Sequence, residues 1–237
     1  MEMKMNDSLN RLLVTMTAAL LLFALTAAKG GTPVTITRTP GNFSSLDLSG
    51  VYKVTLVEGS SCSVALKGDA EDIEAVVTRV GGSELQVFVK SNRKMNSKVE
   101  LTITYVNLKS VECSGAVELT AAQPVRTDKL AIDLSGTSKV DLELMATTLD
   151  IDMSGAGDVI LKGNVKNTNI DVSGAGKLSA GAMQTENCWV DISGTGNVDI
   201  KVSNLLEAEI AGAGNISYAG DPVLHKSVSG SGKVMKI

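Results

Sequence analysis

Carboxylates recur in one local context along this 237-residue chain. Each precedes an apolar residue and a Ser-Gly or Ala-Gly pair, as in "DMSG" and "DISG". Neighbouring acids can hydrolyse bonds when their environments push their pKa values apart. Because all of them share one repeated position, the pattern instead predicts a structural acidic ladder and no catalytic residue. The ladder is centred on Asp133, Asp152, Asp171 and Asp191, and the same position holds Asp47, Glu112 and Glu209.

Glycine-rich loops follow these acids, as in "MSGAGDVIL" and "ISGTGNVDI". A phosphate-binding loop opens a helix, whereas these loops open strands. Calcium-binding glycine repeats have a nine-residue period, and here Lys177 and Lys233 follow Gly-x-Gly, where a cation would lie. We therefore predict no nucleotide, metal or cofactor site. The glycines are predicted to be structural, because glycine tolerates positive φ and tight corners. They are Gly136, Gly155, Gly174, Gly194, Gly212 and Gly230.

The cysteines and the single histidine offer little chemistry. Cys62, Cys113 and Cys188 match no zinc-binding spacing. Cys113 and Cys188 take apolar positions about four repeats, or ~19 Å, apart, which is too far for a disulfide. We expect both to be buried, unreactive thiols. His225 is expected to be an ordinary surface residue.

Trp189, the only tryptophan, is the best candidate for ligand contact. Alternation directs it outward, in a column that also holds Ala131, Asp150, Asn169 and Glu207. An exposed tryptophan among small polar neighbours can stack on a sugar or contact a partner protein. A tryptophan covered by a loop or a terminus is the alternative, and the sequence leaves both open.

The composition indicates an exported β protein. Residues 1–28 have Lys4 and Arg11 before an apolar run and small residues, which predicts a signal peptide; an uncleaved anchor is the alternative. The formal net charge is −4 with no basic patch, so no nucleic-acid partner is expected. Aromatic residues make up only 3% of the chain. The expected location is the periplasm, the outer-membrane surface or the extracellular space.

The Ser-Gly marks define a repeat. From Gly115 onward their glycines are 18 to 21 residues apart, and each unit has alternating apolar residues that predict two short strands. This period predicts an all-β fold, a parallel β-helix with ~19-residue coils, right-handed by the chirality of parallel connections. The residues before Ser-Gly or Ala-Gly should form one core column: Leu48, Cys113, Leu134, Met153, Val172, Ile192, Ile210 and Val228.

The first part of the chain repeats less clearly. Residues 29–41 are predicted to be a linker, residues 42–110 early irregular coils and residues 111–237 regular coils. In "GDAEDIEAVVTRVGG" Asp69 can cap a short inserted helix with an apolar stripe of Ile73, Val76, Val77 and Val80. A separate small β domain before residue 111 is the alternative.

Three segments together resemble the bacterial auto-transporter adhesin head domain family, also called the GIN domain, found in exported proteins. They are "SSLDLSGVYKVTLVEG", "GDAEDIEAVVTRVGGSELQVFV" and rungs such as "IAGAGNI", and the resemblance covers roughly residues 42–218. It implies a β-helical fold, export and a role in adhesion or surface binding. It supplies no catalytic residues.

The predicted function is therefore an exported, non-catalytic binding or adhesion protein. The expected partner is a glycan or another cell-envelope protein. The alternative is a polysaccharide lyase or hydrolase on a β-helix scaffold, which rests on fold analogy alone. The scarcity of aromatic residues argues against it, because carbohydrate enzymes usually line their clefts with them.

Overall fold

The computed structural model describes residues 33–90, 93, 95 and 97–237. The predicted signal peptide lies outside these residues. Within the described residues the chain forms one short helix and a sheet of 17 strands. The elements are β1 (Val34–Arg38), β2 (Ser45–Ser49), β3 (Val51–Glu58), β4 (Ser63–Gly68), α1 (Ala70–Ala75), β5 (Val76–Gly81), β6 (Glu84–Val89), β7 (Val99–Tyr105), β8 (Ser110–Cys113), β9 (Ala116–Ala121), β10 (Val125–Leu134), β11 (Lys139–Met153), β12 (Asp158–Val172), β13 (Lys177–Ile192), β14 (Asn197–Ile210), β15 (Asn215–Ala219), β16 (Val223–Val228) and β17 (Lys233–Lys236).

The regular part is a stack of parallel coils of about 19 residues, within a β-solenoid of about seven turns. Strands β10 to β14 pair in parallel, each with the strand one coil later. The predicted parallel β-helix is confirmed. Seven of the eight residues of the predicted core column are buried, whereas Val228, in the last coil, is 42% exposed. That column is in register throughout: Leu48, Cys113, Leu134, Met153, Val172, Ile192, Ile210 and Val228.

The strands of the regular coils are longer than predicted. The sequence "LKGN" predicts a turn, but β12 runs through it as a single strand of 15 residues. Leu144 pairs with Gly163, and Met145 pairs with Asn164, so the ladder continues around the corner. Gly163 has φ +103°, which lets the chain bend while its hydrogen bonds persist.

The first coils stack in an order that differs from the chain order. Strand β2 pairs with β6 on one side and with β8 on the other. Strand β3 likewise lies between β7 and β9. The coil made by β6 and β7 therefore lies outside the coil made by β2 and β3, although it comes later in the sequence.

Antiparallel strands cover this end of the stack. Strand β4 pairs with β7, β1 pairs with β4, and β5 pairs with β6. The segment predicted as a linker therefore contains a strand, β1. Arg38 on β1 reaches across to the other side of the cap, where its Nη1 donates to the Val76 carbonyl at 2.7 Å and its Nη2 to the Ile73 carbonyl at 3.0 Å.

The inserted helix is present but shorter than predicted. The Asp69 side chain accepts a hydrogen bond from the Glu71 backbone N–H, as expected for an N-cap. The helix ends at Ala75, and the predicted stripe residues Val76, Val77 and Val80 lie on β5 instead. A two-residue loop joins β5 to β6, and Gly82 in that loop has φ +64°.

One hydrophobic core runs from Phe43 to Tyr218. All three cysteines are buried free thiols, which confirms the burial expected for Cys113 and Cys188. Burial raises the pKa of the Cys113 thiol to about 12, and nearby Asp133 and Glu112 add to this effect.

Candidate functional site

The Ser-Gly glycines lie where consecutive coils come closest. A Cβ on Gly155 would lie 2.1 Å from the Gly136 carbonyl oxygen, and one on Gly174 would lie 2.0 Å from that of Gly155. Neither glycine is among those with positive φ in the described residues. Tolerance of positive φ is therefore not what these turns require of glycine. The glycines are needed because stacked turns leave no room for a side chain. The same close approach occurs at Gly136, Gly194, Gly212 and Gly230.

The predicted acidic column is in register along one outer face. We call it the acidic row, and it consists of Asp47, Glu112, Asp133, Asp152, Asp171, Asp191 and Glu209. Parallel strands place neighbouring members about 4.8 Å apart. Six of these acids have a serine two residues later, whose hydroxyl could donate a hydrogen bond to the carboxylate. Within the described residues only Ser49 does so, to Asp47 at 2.8 Å.

The carboxylates of the acidic row repel one another. Burial, followed by the charges of Asp152 and Asp191, raises the pKa of Asp171 above its ordinary value. Burial and Asp152 raise the pKa of Asp133 in the same way. Among the described residues, no ion pair includes a member of this row.

Lys139 and Lys177, which follow Asp133 and Asp171 by six residues, belong to a different row. Lys139 pairs in register with Glu118 and Asp158, and Asp158 pairs with Lys177. We call this the alternating row because the charge changes sign at every step. Its members are Lys67, Glu100, Lys53, Glu118, Lys139, Asp158 and Lys177.

A second outward row runs beside the acidic row, two residues earlier on each strand. This tryptophan row consists of Ala131, Asp150, Asn169, Trp189, Glu207 and His225. Trp189 is 36% exposed, the expected outward position. Asn169 Nδ2 donates to Asp150 Oδ1 at 2.6 Å, and Lys129 Nζ lies 2.6 Å from Asp150 Oδ2. Burial alone would raise the pKa of Asp150, but the hydrogen bonds from Lys129 and Asn169 and the Lys129 charge lower it.

The two rows bound an open groove of about 800 Å³ that runs across the strands. Its floor is the backbone of residues whose side chains point into the core, such as Ile151 and Ile170. Its walls include Asp133, Asp150, Asp152, Asp171, Asp191, Glu207 and Glu209. The groove therefore brings together the predicted ladder and the predicted ligand-contact residue.

His225 and Lys226 also line the groove, where they supply positive charge or hydrogen-bond donors. His225 Nδ1 lies 4.0 Å from Glu207 Oε1. The sequence alone indicates only a surface position for His225. The period could have identified its position, because it lies 18 residues after Glu207 in the same row. Among the described residues, no cluster of histidine, cysteine and carboxylate side chains has the arrangement of a metal site.

Comparison with known proteins identifies one family. The model of the family described as "putative auto-transporter adhesin, head GIN domain" matches residues 42–222. No curated protein matches the chain. In the described part of the chain, no helix has the length and hydrophobicity needed to cross a membrane.

Several solved structures share the fold. A putative adhesin from Bacteroides fragilis is 22% identical, with a TM-score of 0.83 over 87% of this chain and 97% of that one. A putative lipid binding protein from Parabacteroides distasonis is 21% identical, with a TM-score of 0.69 over 88% and 98%. A putative adhesin from Parabacteroides merdae is 20% identical, with a TM-score of 0.64 over 88% and 97%. At these identities the likeness shows the fold alone.

Proposed function

Because the chain belongs to the auto-transporter adhesin head GIN domain family, we propose that it is an exported, non-catalytic adhesion protein of the cell envelope. Its ligand lies in the groove between the acidic row and the tryptophan row. The observation that carries this proposal is the exposed Trp189 on the wall of an open groove of about 800 Å³. An indole held by a sheet provides a rigid contact surface at low entropic cost.

The electrostatics of the groove favour binding over catalysis. Hydrolysis by paired carboxylates requires one acid that differs from its neighbours. In the acidic row, burial and adjacent carboxylates raise the pKa of both Asp133 and Asp171, so these two acids are shifted in the same direction and not apart from each other. One similar structure is named as a putative lipid binding protein. Binding of a lipid with an anionic head group is not favoured in this groove. Such a group would meet seven carboxylates here.

Truncation of the tryptophan tests the proposal. The purified protein and Trp189→Ala are compared for binding to a glycan array and to fixed bacterial and epithelial cells. We expect the substitution to weaken binding about tenfold or more, because buried aromatic contacts dominate interface energies. Met145→Ala is the matched control, since Met145 is an exposed hydrophobic residue, 48% exposed, that does not line the groove.

Two results would contradict the proposal. Equal binding by wild type and Trp189→Ala would show that the ligand does not bind in the groove. Release of new reducing ends, or of unsaturated sugars, from any polysaccharide that binds would instead favour the polysaccharide lyase or hydrolase.

A further inference from the structure

The acidic row departs from the way this chain arranges stacked charges elsewhere. Stacked charges about 4.8 Å apart interact with each other, and more strongly at a protein surface than in bulk water. In the alternating row every such step joins opposite charges, for example Lys139 with Asp158. The acidic row has the same spacing, but every step joins two carboxylates. The fold therefore allows the charges of a stacked row to neutralise one another, and the charges of the acidic row do not.

Positive charge near the groove does not offset this row. Lys129 pairs with Asp150, on the opposite wall. His225 and Lys226 line the groove one coil beyond Glu207 and Ala208. The stretch from Asp133 to Glu209 covers four coil steps, about 19 Å, and faces solvent. A cationic ligand would relieve the repulsion along this stretch, whereas a neutral ligand would leave it unchanged.

Trp189 narrows the chemistry of that cation. An indole face attracts a cation placed over it, and a guanidinium can also stack on it as a flat group. The two rows are two residues apart along each strand, about 6.6 Å. A guanidinium stacked on Trp189 is therefore within reach of Asp171 and Asp191 on the opposite wall. Its planar N–H donors can contact two carboxylates at once.

We propose that the groove binds an extended, arginine-rich segment of a partner protein, with one guanidinium on Trp189 and the others along the acidic row. At about 3.3 Å per residue, a groove of about 19 Å holds about six extended residues. This inference rests on the proposed function, because it assigns the ligand class of the same groove. It adds the sign of the ligand's charge and the type of group that meets the tryptophan.

The test is a fluorescence-anisotropy titration of the purified protein with labelled hexa-arginine. Hexa-lysine and a glucosamine hexamer serve as the competing cations. We expect hexa-arginine to bind about fivefold or more tightly than either, and its affinity to fall as salt rises. Asp152→Asn combined with Asp171→Asn should weaken binding of hexa-arginine about tenfold. Trp189→Ala should remove most of the preference for arginine over lysine.

The alternating row supplies the control. Glu118→Gln combined with Asp158→Asn removes the same number of negative charges outside the groove and should leave binding of hexa-arginine unchanged. Equal losses in both double variants would show nonspecific attraction and overturn the inference. Tighter binding of the glucosamine hexamer would overturn it in favour of an amino-sugar polymer. If hexa-arginine fails to bind while Trp189→Ala still abolishes cell binding, this inference is wrong and the proposed function stands.

Discussion

At the scale of single residues, neighbouring carboxylates of the acidic row are only about 4.8 Å apart, the distance between adjacent strands. Such a row costs stability when nothing offsets its charge. The raised pKa of Asp171 has this meaning, because burial and the adjacent carboxylates make its ionised form less stable in the folded protein. A group whose pKa is raised by folding binds protons more tightly in the folded state, so stability is lost as pH rises through that pKa.

Replacing one of these charges tests the sign. At pH 7 and low salt, Asp171→Asn should raise the melting temperature by about 1–2 °C, a small effect because the carboxylate is largely exposed. The gain should vanish below the ordinary aspartate pKa of 3.8, where both states are protonated. Asp158→Asn in the alternating row is the control and should not raise the melting temperature, because Asp158 lies between two lysines.

Melting temperatures measured with calcium and with EDTA distinguish an electrostatic ladder from a metal site. If the acidic row is an electrostatic ladder with no bound cation, EDTA should leave the melting temperature of the wild type unchanged. A rise of several degrees in calcium, lost in Asp171→Asn, would contradict this interpretation and identify a metal site.

At the scale of elements, the turns depend on the absence of a side chain. Gly155→Ala should lower the free energy of unfolding by about 3 kcal/mol, because its Cβ would lie 2.1 Å from the Gly136 carbonyl oxygen, and backbone must move. Gly81→Ala, where a Cβ meets nothing within 4 Å, should change it by less than about 0.5 kcal/mol. Urea unfolding monitored by Trp189 fluorescence measures both. Equal stabilities would show that stacked turns can separate at little cost.

The antiparallel cap depends on Arg38. Arg38→Ala leaves the Val76 and Ile73 carbonyls without their charged donor, so we expect a loss of about 2 kcal/mol. In Arg38→Ala, backbone hydrogen exchange should become faster than in wild type in β1 and β5, and it should stay unchanged in the regular coils. Arg126→Ala is the control, because Arg126 makes only exposed contacts, with the Pro124 carbonyl and with Glu58 at 4.0 Å, and it should cost less than about 0.5 kcal/mol. Unchanged exchange in β1 and β5 would show that the cap is held by other contacts.

The regular elements were predictable because each coil repeats one alternation. A period of about 19 residues and a single apolar position were enough to align the core column from Leu48 to Val228. The stacking order of the early coils was not predictable, because alternation identifies the buried face of a strand but does not identify which coil lies next to it. The hairpin of β5 and β6 had a usable signal, Gly81-Gly82 between two β-branched or apolar runs. The helical spacing of Val76, Val77 and Val80 favoured a longer helix, but these residues lie on β5.

At the scale of the whole molecule, the groove exists only after many coils have stacked. The sequence predicted that the acids and Trp189 point outward, and the structure places them there. The groove between the two rows was not predicted, because it exists only where the register aligns both rows over several coils. Nor did the sequence predict that Lys139 and Lys177 lie in another row. Charge partners are set by the register between coils, which residue spacing alone did not assign correctly.

The swapped order of the first coils also determines how the molecule responds to mechanical force. A pull on the C-terminal side meets β17 and β16 first, which pair with β15 and β14. Coils there can unwind one after another. A pull on the N-terminal side meets β1 and then β2, which is held on both edges by β6 and β8. That coil cannot leave until contacts on both sides break together, so a head tethered from its N-terminal side is fastened under load by a coil that is held on both edges.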